Sequence, residues 1–217
     1  MTSGHDGDKA ALRLAVRRRR AGADEATRRE AADRHAGLVG AVLDLRPGAA
    51  ATVACYASIG DEPRTAPLRA ALAARGVEVL LPWLRPDLDL DWVRDPGPAA
   101  TTGREHALRP PGDRLGPDAV GRCGVVVVPA LAVDAAGTRL GQGGGSYDRA
   151  LARLRASPAG AAVPVVAVLS CAEELLPGAA LPRETHDVAV DAVLLPDGLR
   201  VLRGQPDEGE PAGHGRS

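Results

Sequence analysis

The chain has 217 residues, of which 45% are hydrophobic and 25% charged, and its formal net charge is −1. This length and composition predict one globular domain with a sizeable core, and the small net charge excludes a protein drawn to nucleic acid or anionic lipid by its overall field. Aromatic residues make up only 2%, with no phenylalanine, which counts against a nucleic-acid surface built from stacked bases.

The three cysteines, Cys55, Cys123 and Cys171, are far apart and form no CxxC motif. They match neither a zinc site nor a disulfide framework, so we expect buried thiols in a reducing compartment. The N-terminal stretch lacks the apolar core of a signal peptide, and no later run reaches the roughly 18 apolar residues of a membrane span. We therefore expect a cytoplasmic protein.

Both ends of the chain are polar and rich in glycine. Residues 1–8 and 204–217 are expected to be disordered, which leaves residues 9–203 as the domain. A helical pattern covers residues 9–20. A second helix is predicted over residues 24–45, with Asp24 as its N-cap and Pro47 following its end.

The hydrophobic period changes after residue 50. Short, continuously apolar runs predict buried strands at residues 52–58, 77–82, 125–129, 163–170 and 188–196. Helices are predicted between them at residues 66–75 and 146–156. Strands that alternate with helices indicate a layered α/β domain. The segment of residues 85–121 is rich in proline, glycine and aspartate, and we interpret it as a long excursion rather than a linker between domains.

The stretch RLGQGGGSYDR, residues 139–149, has four glycines in eleven positions and leads into a predicted helix. Backbone N–H groups and the positive end of a helix dipole can converge there on an anion such as phosphate. The patterns GxxxxGK[ST] and GxGxxG do not fit, and the preceding strand ends near Val128, too early for a dinucleotide fold. The stretch is either a phosphate loop of another kind or a flexible loop with surface arginines.

Lys9, Arg13 and Arg17 are spaced four residues apart on the first predicted helix, so they form one cationic stripe. Such a stripe is suited to completing a triphosphate site. The following arginines, residues 18–20, are more typical of a solvated helix end, where positive charge complements the helix dipole.

Four segments, KAALRLAVRRRR, CYASIGDEPRT, VVPALAVDAAGTRLGQGGGSYDR and LPRETHDVAVDAVLLP, resemble the 5-formyltetrahydrofolate cyclo-ligase family in order and approximate spacing. That family is also called 5,10-methenyltetrahydrofolate synthetase. The resemblance covers residues 9–196, and its most specific part is the segment PALAVDxxGxRLGxGGGxYDR. It implies a single α/β domain with a mostly parallel sheet and helices on both faces, similar to the fold of some sugar-phosphate isomerases and coenzyme A transferases.

The resemblance also implies a reaction. ATP phosphorylates the formyl oxygen of 5-formyltetrahydrofolate, the N10 amine attacks, and loss of phosphate closes the methenyl bridge. The implied cofactor is Mg²⁺, with ATP as co-substrate. The expected partners are these small molecules, without nucleic acid or membrane, and we expect a monomer.

Residue roles implied by the resemblance fall into three groups. ATP contacts are expected from Lys9, Arg13, Arg139, Leu140, Gly141, Gln142, Gly143, Gly144, Gly145, Ser146 and Tyr147. Substrate contacts are expected from Ala57, Glu62, Gln142, Gly143, Gly144, Gly145 and Ser146, with Glu62 suited to accept hydrogen bonds from the pterin ring. The magnesium ligands would be Asp148 and Asp187. Taken alone, Asp148 is also favourable charge at a helix N-terminus, and Asp187 is also a turn cap.

The sequence departs from the common family pattern in three places. Gln142 replaces a larger or basic residue, Ser146 replaces an aromatic one, and the segment after Cys171 lacks a frequent glutamine. Two alternatives therefore remain: a related ATP-dependent enzyme for another pterin-like substrate, and a non-catalytic protein that binds folate or nucleotide. Trp83 and Trp92 either offer a flat surface to a pterin or brace the excursion.

Overall fold

The computed structural model describes residues 3–178, 181–184 and 187–202. Its helices are α1 (Ser3–Gly22), α2 (Glu25–Gly37), α3 (Val39–Leu43), α4 (Ala66–Ala73), α5 (Arg104–Leu108) and α6 (Ser146–Ala156). Its strands are β1 (Thr52–Ala54), β2 (Glu78–Leu84), β3 (Leu90–Arg94), β4 (Val125–Pro129), β5 (Ala132–Asp134), β6 (Arg139–Leu140), β7 (Val165–Val168), β8 (Leu175–Leu176), β9 (Ala192–Leu195) and β10 (Gly198–Val201). Short 3₁₀ turns cover Ala99–Thr101, Pro117–Arg122 and Ala172–Glu174.

The main sheet has seven strands in the order β10-β9-β7-β4-β1-β2-β3. Its five central strands are parallel, and β3 and β10 join antiparallel at the two edges. A smaller sheet has the order β6-β5-β8. The α/β class with a mostly parallel sheet, expected from the sequence, is confirmed.

The central strands are apolar along their whole length because helices cover both faces of the sheet. Leu151 and Leu154 of α6 belong to the cluster on one face, and Leu68 and Leu72 of α4 belong to the cluster on the other. All four side chains are at most 1% exposed. Each buried leucine contributes about 1.5–3 kcal/mol relative to an exposed one, so the two clusters supply most of the driving force for the layered arrangement.

The N-terminal helices differ from the sequence prediction. Helix α1 begins at Ser3, so it includes most of the segment that was expected to be disordered, while residues 203–217 lie outside the described residues. Asp24 caps α2 as predicted, and its side chain accepts the Thr27 N–H at 2.7 Å. The predicted helix over residues 24–45 is divided at Leu38, which follows Gly37, a residue with low helix propensity.

The excursion over residues 85–121 belongs to the domain, but it contains a strand that the sequence did not reveal. Strand β3 pairs antiparallel with β2, from Leu80 opposite Arg94 to Leu84 opposite Leu90. Next to β3, the guanidinium of Arg69 holds Asp95 through two hydrogen bonds of 2.7 and 2.5 Å. In the described part of the chain, no helix is long and apolar enough to cross a membrane.

The strand order creates a crevice at one point of the sheet. From β1 the chain passes through α4 to β2 on one side, and it later returns to β4 on the other side of β1. The segments that leave the carboxyl ends of β1 and β4 therefore diverge. In open α/β sheets such a point of reversal is where ligands bind.

Candidate active site

A cavity of about 190 Å³ lies at this reversal point, beyond the carboxyl ends of β1 and β4. Its walls come from the segments after these two strands, from the end of β2, from α5 and from the glycine-rich loop before α6. The lining residues are Tyr56, Ala57, Ile59, Glu62, Pro82, Leu84, Leu90, Ala107, Leu108, Pro129, Ala130, Leu131, Arg139, Gly141, Gln142, Gly143, Gly144, Gly145, Ser146, Tyr147 and Asp148.

The loop of residues 141–145 joins β6 to α6, and its shape depends on glycine. Gly143 has φ 101° and Gly145 has φ 67°, which are left-handed conformations that residues with a Cβ adopt at a cost. Gly145 is also the N-cap of α6 and provides no side-chain cap. The first N–H groups of α6 thus begin at the cavity wall, in the arrangement that favours an anion.

Arg139 lies between the loop and the first turn of α6. Its side chain is 4% exposed, and its Nη2 donates to Asp148 Oδ1 at 2.6 Å. The guanidinium lies 5.7 Å from the centre of the Tyr147 ring. Its Nε and Nη1 are buried without a hydrogen-bond partner in the described structure. Arg139 therefore brings a fixed positive charge and two nitrogen atoms without hydrogen-bond partners to the cavity wall.

The cationic stripe of α1 lies against the same loop. Lys9 Nζ is 3.4 Å from Glu184 Oε1, Arg13 Nε donates to the Gly141 carbonyl at 3.0 Å, and Arg17 Nη2 donates to Gln142 Oε1. Lys9 and Arg13 do not line the cavity themselves. The predicted i, i+4 stripe is thus a real face of α1, and it places positive charge beside the glycine-rich loop.

Ala57 and Glu62, for which the family resemblance implies substrate contact, both lie in the cavity wall. Glu62 is 8% exposed, and its Oε2 accepts the Ile59 N–H at 3.0 Å. Burial raises the pKa of the Glu62 carboxyl above its usual value, although the Ile59 hydrogen bond acts in the opposite direction. A half-satisfied buried carboxyl of this kind is suited to accept N–H groups from a ligand.

The two aspartates expected to bind metal occupy different places. Asp148 lines the cavity, whereas Asp187 does not, and Asp187 Oδ2 accepts the Glu184 N–H at 2.8 Å in a turn. The Lys9–Glu184 contact brings this turn next to the stripe of α1. Within the described residues no three His, Cys, Asp or Glu side chains come together as a metal-binding group.

Leu140, Trp83 and Trp92 lie outside the cavity. The Leu140 side chain is 2% exposed and packs with Val16 and Leu131, so an ATP contact at this position would come from its backbone. Trp92 is 1% exposed in the core, and Trp83 is flanked by the guanidinium groups of Arg109 and Arg114. Trp92 therefore braces the core, whereas Trp83 is half-buried beside the cavity-lining residues Pro82 and Leu84, and a pterin contact for it stays a prediction.

One buried ion pair near the site was missed by the sequence analysis. Arg20, expected at a solvated helix end, is 4% exposed, and its guanidinium binds both carboxylate oxygens of Glu174. Its Nη2 also donates to the carbonyl of Ala130, a residue of the cavity wall, at 2.7 Å. Arg20 follows the buried Val16 by four residues, so its place on the apolar face of α1 was the available signal.

The fold and the cavity define an α/β domain with a small-molecule site at the carboxyl edge of its sheet, next to a loop suited to an anion. The model of the 5-formyltetrahydrofolate cyclo-ligase family matches residues 5–196. A 5-formyltetrahydrofolate cyclo-ligase of Mycolicibacterium smegmatis is 38% identical over 203 residues, covering 90% of this chain and 97% of that protein. The chain therefore belongs to the 5-formyltetrahydrofolate cyclo-ligase family.

Solved structures agree with this membership. The NMR structure of 5,10-methenyltetrahydrofolate synthetase from Aquifex aeolicus superposes with a TM-score of 0.66 at 26% identity, covering 95% of this chain and 99% of that one. The 5,10-methenyltetrahydrofolate synthetase of Mycoplasma pneumoniae gives a TM-score of 0.65 at 18% identity, covering 87% and 99%. The latter similarity supports the fold alone.

Proposed function

We propose that this chain converts 5-formyltetrahydrofolate to 5,10-methenyltetrahydrofolate in an ATP-dependent reaction that releases ADP and phosphate. The observation that carries the proposal is the cavity at the reversal point of the sheet, where a glycine-rich loop with a helix N-terminus, Arg139 and a buried carboxyl, Glu62, face one space. Family membership names the chemistry, and this convergence supports it for the present chain.

The reaction requires three changes of bonding. The formyl oxygen on N5 attacks the γ-phosphorus of ATP, and ADP leaves. N10 then attacks the formyl carbon and loses its proton. Cleavage of the carbon–oxygen bond releases inorganic phosphate and leaves the methenyl bridge between N5 and N10. In phosphoryl transfer of this kind, the protein mainly positions the reacting groups and places positive charge around the migrating phosphoryl group.

The phosphate side of the cavity supplies that positive charge. N–H groups of the loop and of the first turn of α6 would hold the phosphate oxygens, with Arg139 beside them and Arg13 behind the loop. Mg²⁺ would be held by Asp148 together with phosphate oxygens, and it would neutralise charge on the triphosphate; Asp187, the second ligand expected from the family, lies outside the cavity in the turn whose Glu184 contacts Lys9. Asp148 fits this role, since its Oδ1 is fixed by Arg139 while its Oδ2 has no hydrogen bond within the described residues.

The folate side is the remainder of the cavity. Glu62 would accept hydrogen bonds from the N–H groups of the pterin ring, beside Ala57. Leu84, Leu90 and Leu108 provide an apolar wall for the rest of the ligand. Because the two sides share the glycine-rich loop, the formyl oxygen and the γ-phosphate would meet there.

The test is the absorbance of methenyltetrahydrofolate after mixing the protein with 5-formyltetrahydrofolate, Mg²⁺ and ATP. We expect product only when ATP is present, and we expect Asp148→Asn to lower the rate by about 100-fold or more. The matched control is Asp118→Asn, because the Asp118 side chain is 86% exposed and lies outside the cavity.

The same measurement separates the alternatives. If ATP were hydrolysed with a different formylated pterin and not with 5-formyltetrahydrofolate, that pterin would be the substrate instead. Binding of folate and ATP without any release of phosphate would point to a non-catalytic binding protein.

A further inference from the structure

The cavity is too small to enclose the whole of the proposed substrate. Its volume is about 190 Å³, whereas sites that bury most of a drug-sized ligand usually have about 300–1,000 Å³. The substrate, 5-formyltetrahydrofolate, carries a benzoyl-glutamate tail with two carboxylates at the end opposite its pterin ring. With the pterin ring at Glu62, the tail would pass the apolar wall of Leu84, Leu90 and Leu108 and leave the cavity there.

Two exposed arginines lie next to this wall. Arg109 follows Leu108 in the chain, and its Nε donates to the Leu84 carbonyl at 3.1 Å. Its guanidinium lies 5.4 Å from the centre of the Trp83 ring, and the guanidinium of Arg114 lies 5.0 Å from the centre of the same ring. Trp83 directly precedes Leu84, so its half-buried ring holds both cations beside the cavity wall.

Both guanidinium groups keep most of their hydrogen-bond donors. A cation over an aromatic face is held by the electrons of the ring rather than by a hydrogen bond to an acceptor atom. Within the described residues the Arg109 side chain commits only its Nε, and the Arg114 side chain makes no hydrogen bond or ion pair. The acidic residues nearest to them along the chain, Glu105 and Asp113, are exposed and form no ion pair with either arginine in the described structure. Positive charge without an acidic partner therefore lies where the tail would leave the cavity.

We propose that Arg109 and Arg114, supported by Trp83, form a carboxylate subsite that binds the glutamate end of the substrate and selects for a negatively charged tail. This inference rests on the proposed function. A guanidinium forms paired, charge-assisted hydrogen bonds with a carboxylate, and two guanidinium groups match the two carboxylates of one glutamate. The ring orders the long arginine side chains before binding, which reduces the conformational entropy that is lost when the tail docks.

The test compares 5-formyltetrahydrofolate with its diamide, in which both tail carboxylates are replaced by neutral amides. Titration calorimetry without ATP gives the two dissociation constants, and their ratio measures the selection for charge. For the unmodified protein we expect the diamide to bind about tenfold more weakly than the acid. Added KCl should weaken binding of the acid and leave binding of the diamide nearly unchanged, because salt screens exposed charges.

Arg109→Met/Arg114→Met should abolish the difference between the two compounds by weakening binding of the acid alone. Arg109→Lys/Arg114→Lys keeps both charges and should retain a ratio of about threefold or more, which separates the loss of charge from a disturbed cavity wall. The matched control is Arg75→Met. Arg75 is also exposed and has no ion pair within the described residues, but it follows α4 and does not line the cavity, so this change should leave the ratio unaltered.

Three results would overturn the inference: equal binding of acid and diamide by the unmodified protein, a difference that survives Arg109→Met/Arg114→Met, or a difference that Arg75→Met lowers as much as that double change does. Failure to bind either compound would refute both the subsite and the proposed function. Formation of methenyltetrahydrofolate from the acid, ATP and Mg²⁺ is measured separately. Turnover together with equal binding would refute the subsite alone, whereas tighter binding of the acid without turnover would refute the proposed function alone.

Discussion

Arg20 and Glu174 form a buried ion pair in which Nε and Nη2 of the arginine bind the two carboxylate oxygens at 2.8 and 2.7 Å. The side chains are 3% and 0% exposed, and the residues are 154 positions apart. The pair joins the end of α1 to the segment after β7. Glu174 Oε2 also accepts the Ser170 N–H at 2.7 Å, so both partners are tied to the main chain.

Removing one partner of this pair should destabilise the protein strongly. Arg20→Met leaves a buried carboxylate without its counter-ion, and we expect a loss of about 3–5 kcal/mol in the free energy of unfolding. Urea denaturation measures it. Arg20→Met/Glu174→Gln should recover most of the loss, because no isolated charge is then buried.

The exposed pair of Glu30 and Arg34 on α2 is the control for that experiment. Its side chains are 65% and 57% exposed, so Arg34→Met should change the unfolding free energy little. An Arg20→Met variant as stable as Arg34→Met would contradict the buried role of Arg20.

Arg139→Lys should lower kcat/KM by about tenfold or more, although the charge is kept. A lysine cannot hold Asp148, lie over the Tyr147 ring and present further planar donors at the same time. Steady-state kinetics with varied ATP measures this effect. Arg153→Lys, which alters an ion pair with Asp89 away from the cavity, should leave the kinetics unchanged.

Gly145→Ala should reduce the free energy of unfolding by about 1–2 kcal/mol, because the new Cβ is forced into the left-handed conformation. The Cβ would also lie 3.1 Å from Arg149 Nη1. Gly141→Ala is the comparison on stability, since its Cβ meets no heavy atom within 4 Å and its φ is not positive. Thermal or urea unfolding of the two variants checks the difference, and equal losses would show that the conformation of Gly145 does not matter.

The burial of His35 should make the free energy of unfolding depend on pH. The side chain is 1% exposed, its Nε2 donates to the Leu169 carbonyl at 3.1 Å, and burial lowers its pKa from 6.5 to about 4. Between these two values the unfolded chain binds the proton and the folded chain does not. The stabilisation that the neutral His35 side chain gives to the folded protein is therefore complete above pH 6.5. It is lost as the pH falls toward 4, by up to about 3 kcal/mol in the free energy of unfolding.

Urea unfolding from pH 7 to pH 4 measures this loss. In His35→Gln the part of the pH dependence that belongs to His35 should disappear. An unchanged slope in this variant, compared with the unmodified protein, would assign the acid sensitivity to other groups.

Local patterns predicted much of the architecture. Helix α6 has the predicted bounds because its start follows a left-handed glycine and its end precedes Pro158, signals that act over a few residues. The continuous apolar runs predicted the buried strands: β4 has the predicted bounds, β1, β7 and β9 are shorter than their runs, and β2 continues two residues beyond its run. Strand β3 escaped prediction because its pairing with β2 arises from the packing of an excursion whose composition is typical of a loop.

The site likewise combines features that local sequence signals predicted with features that depend on long-range contacts. The sequence by itself determined the glycine-rich loop, the cationic stripe of α1 and, through its motifs, the family. Only the tertiary structure decided that Arg20 is buried against Glu174, that both tryptophans lie outside the cavity, and that Arg17 of α1 contacts Gln142 of the glycine-rich loop. These relationships join residues that are distant along the chain, so neither periodicity nor spacing encodes them.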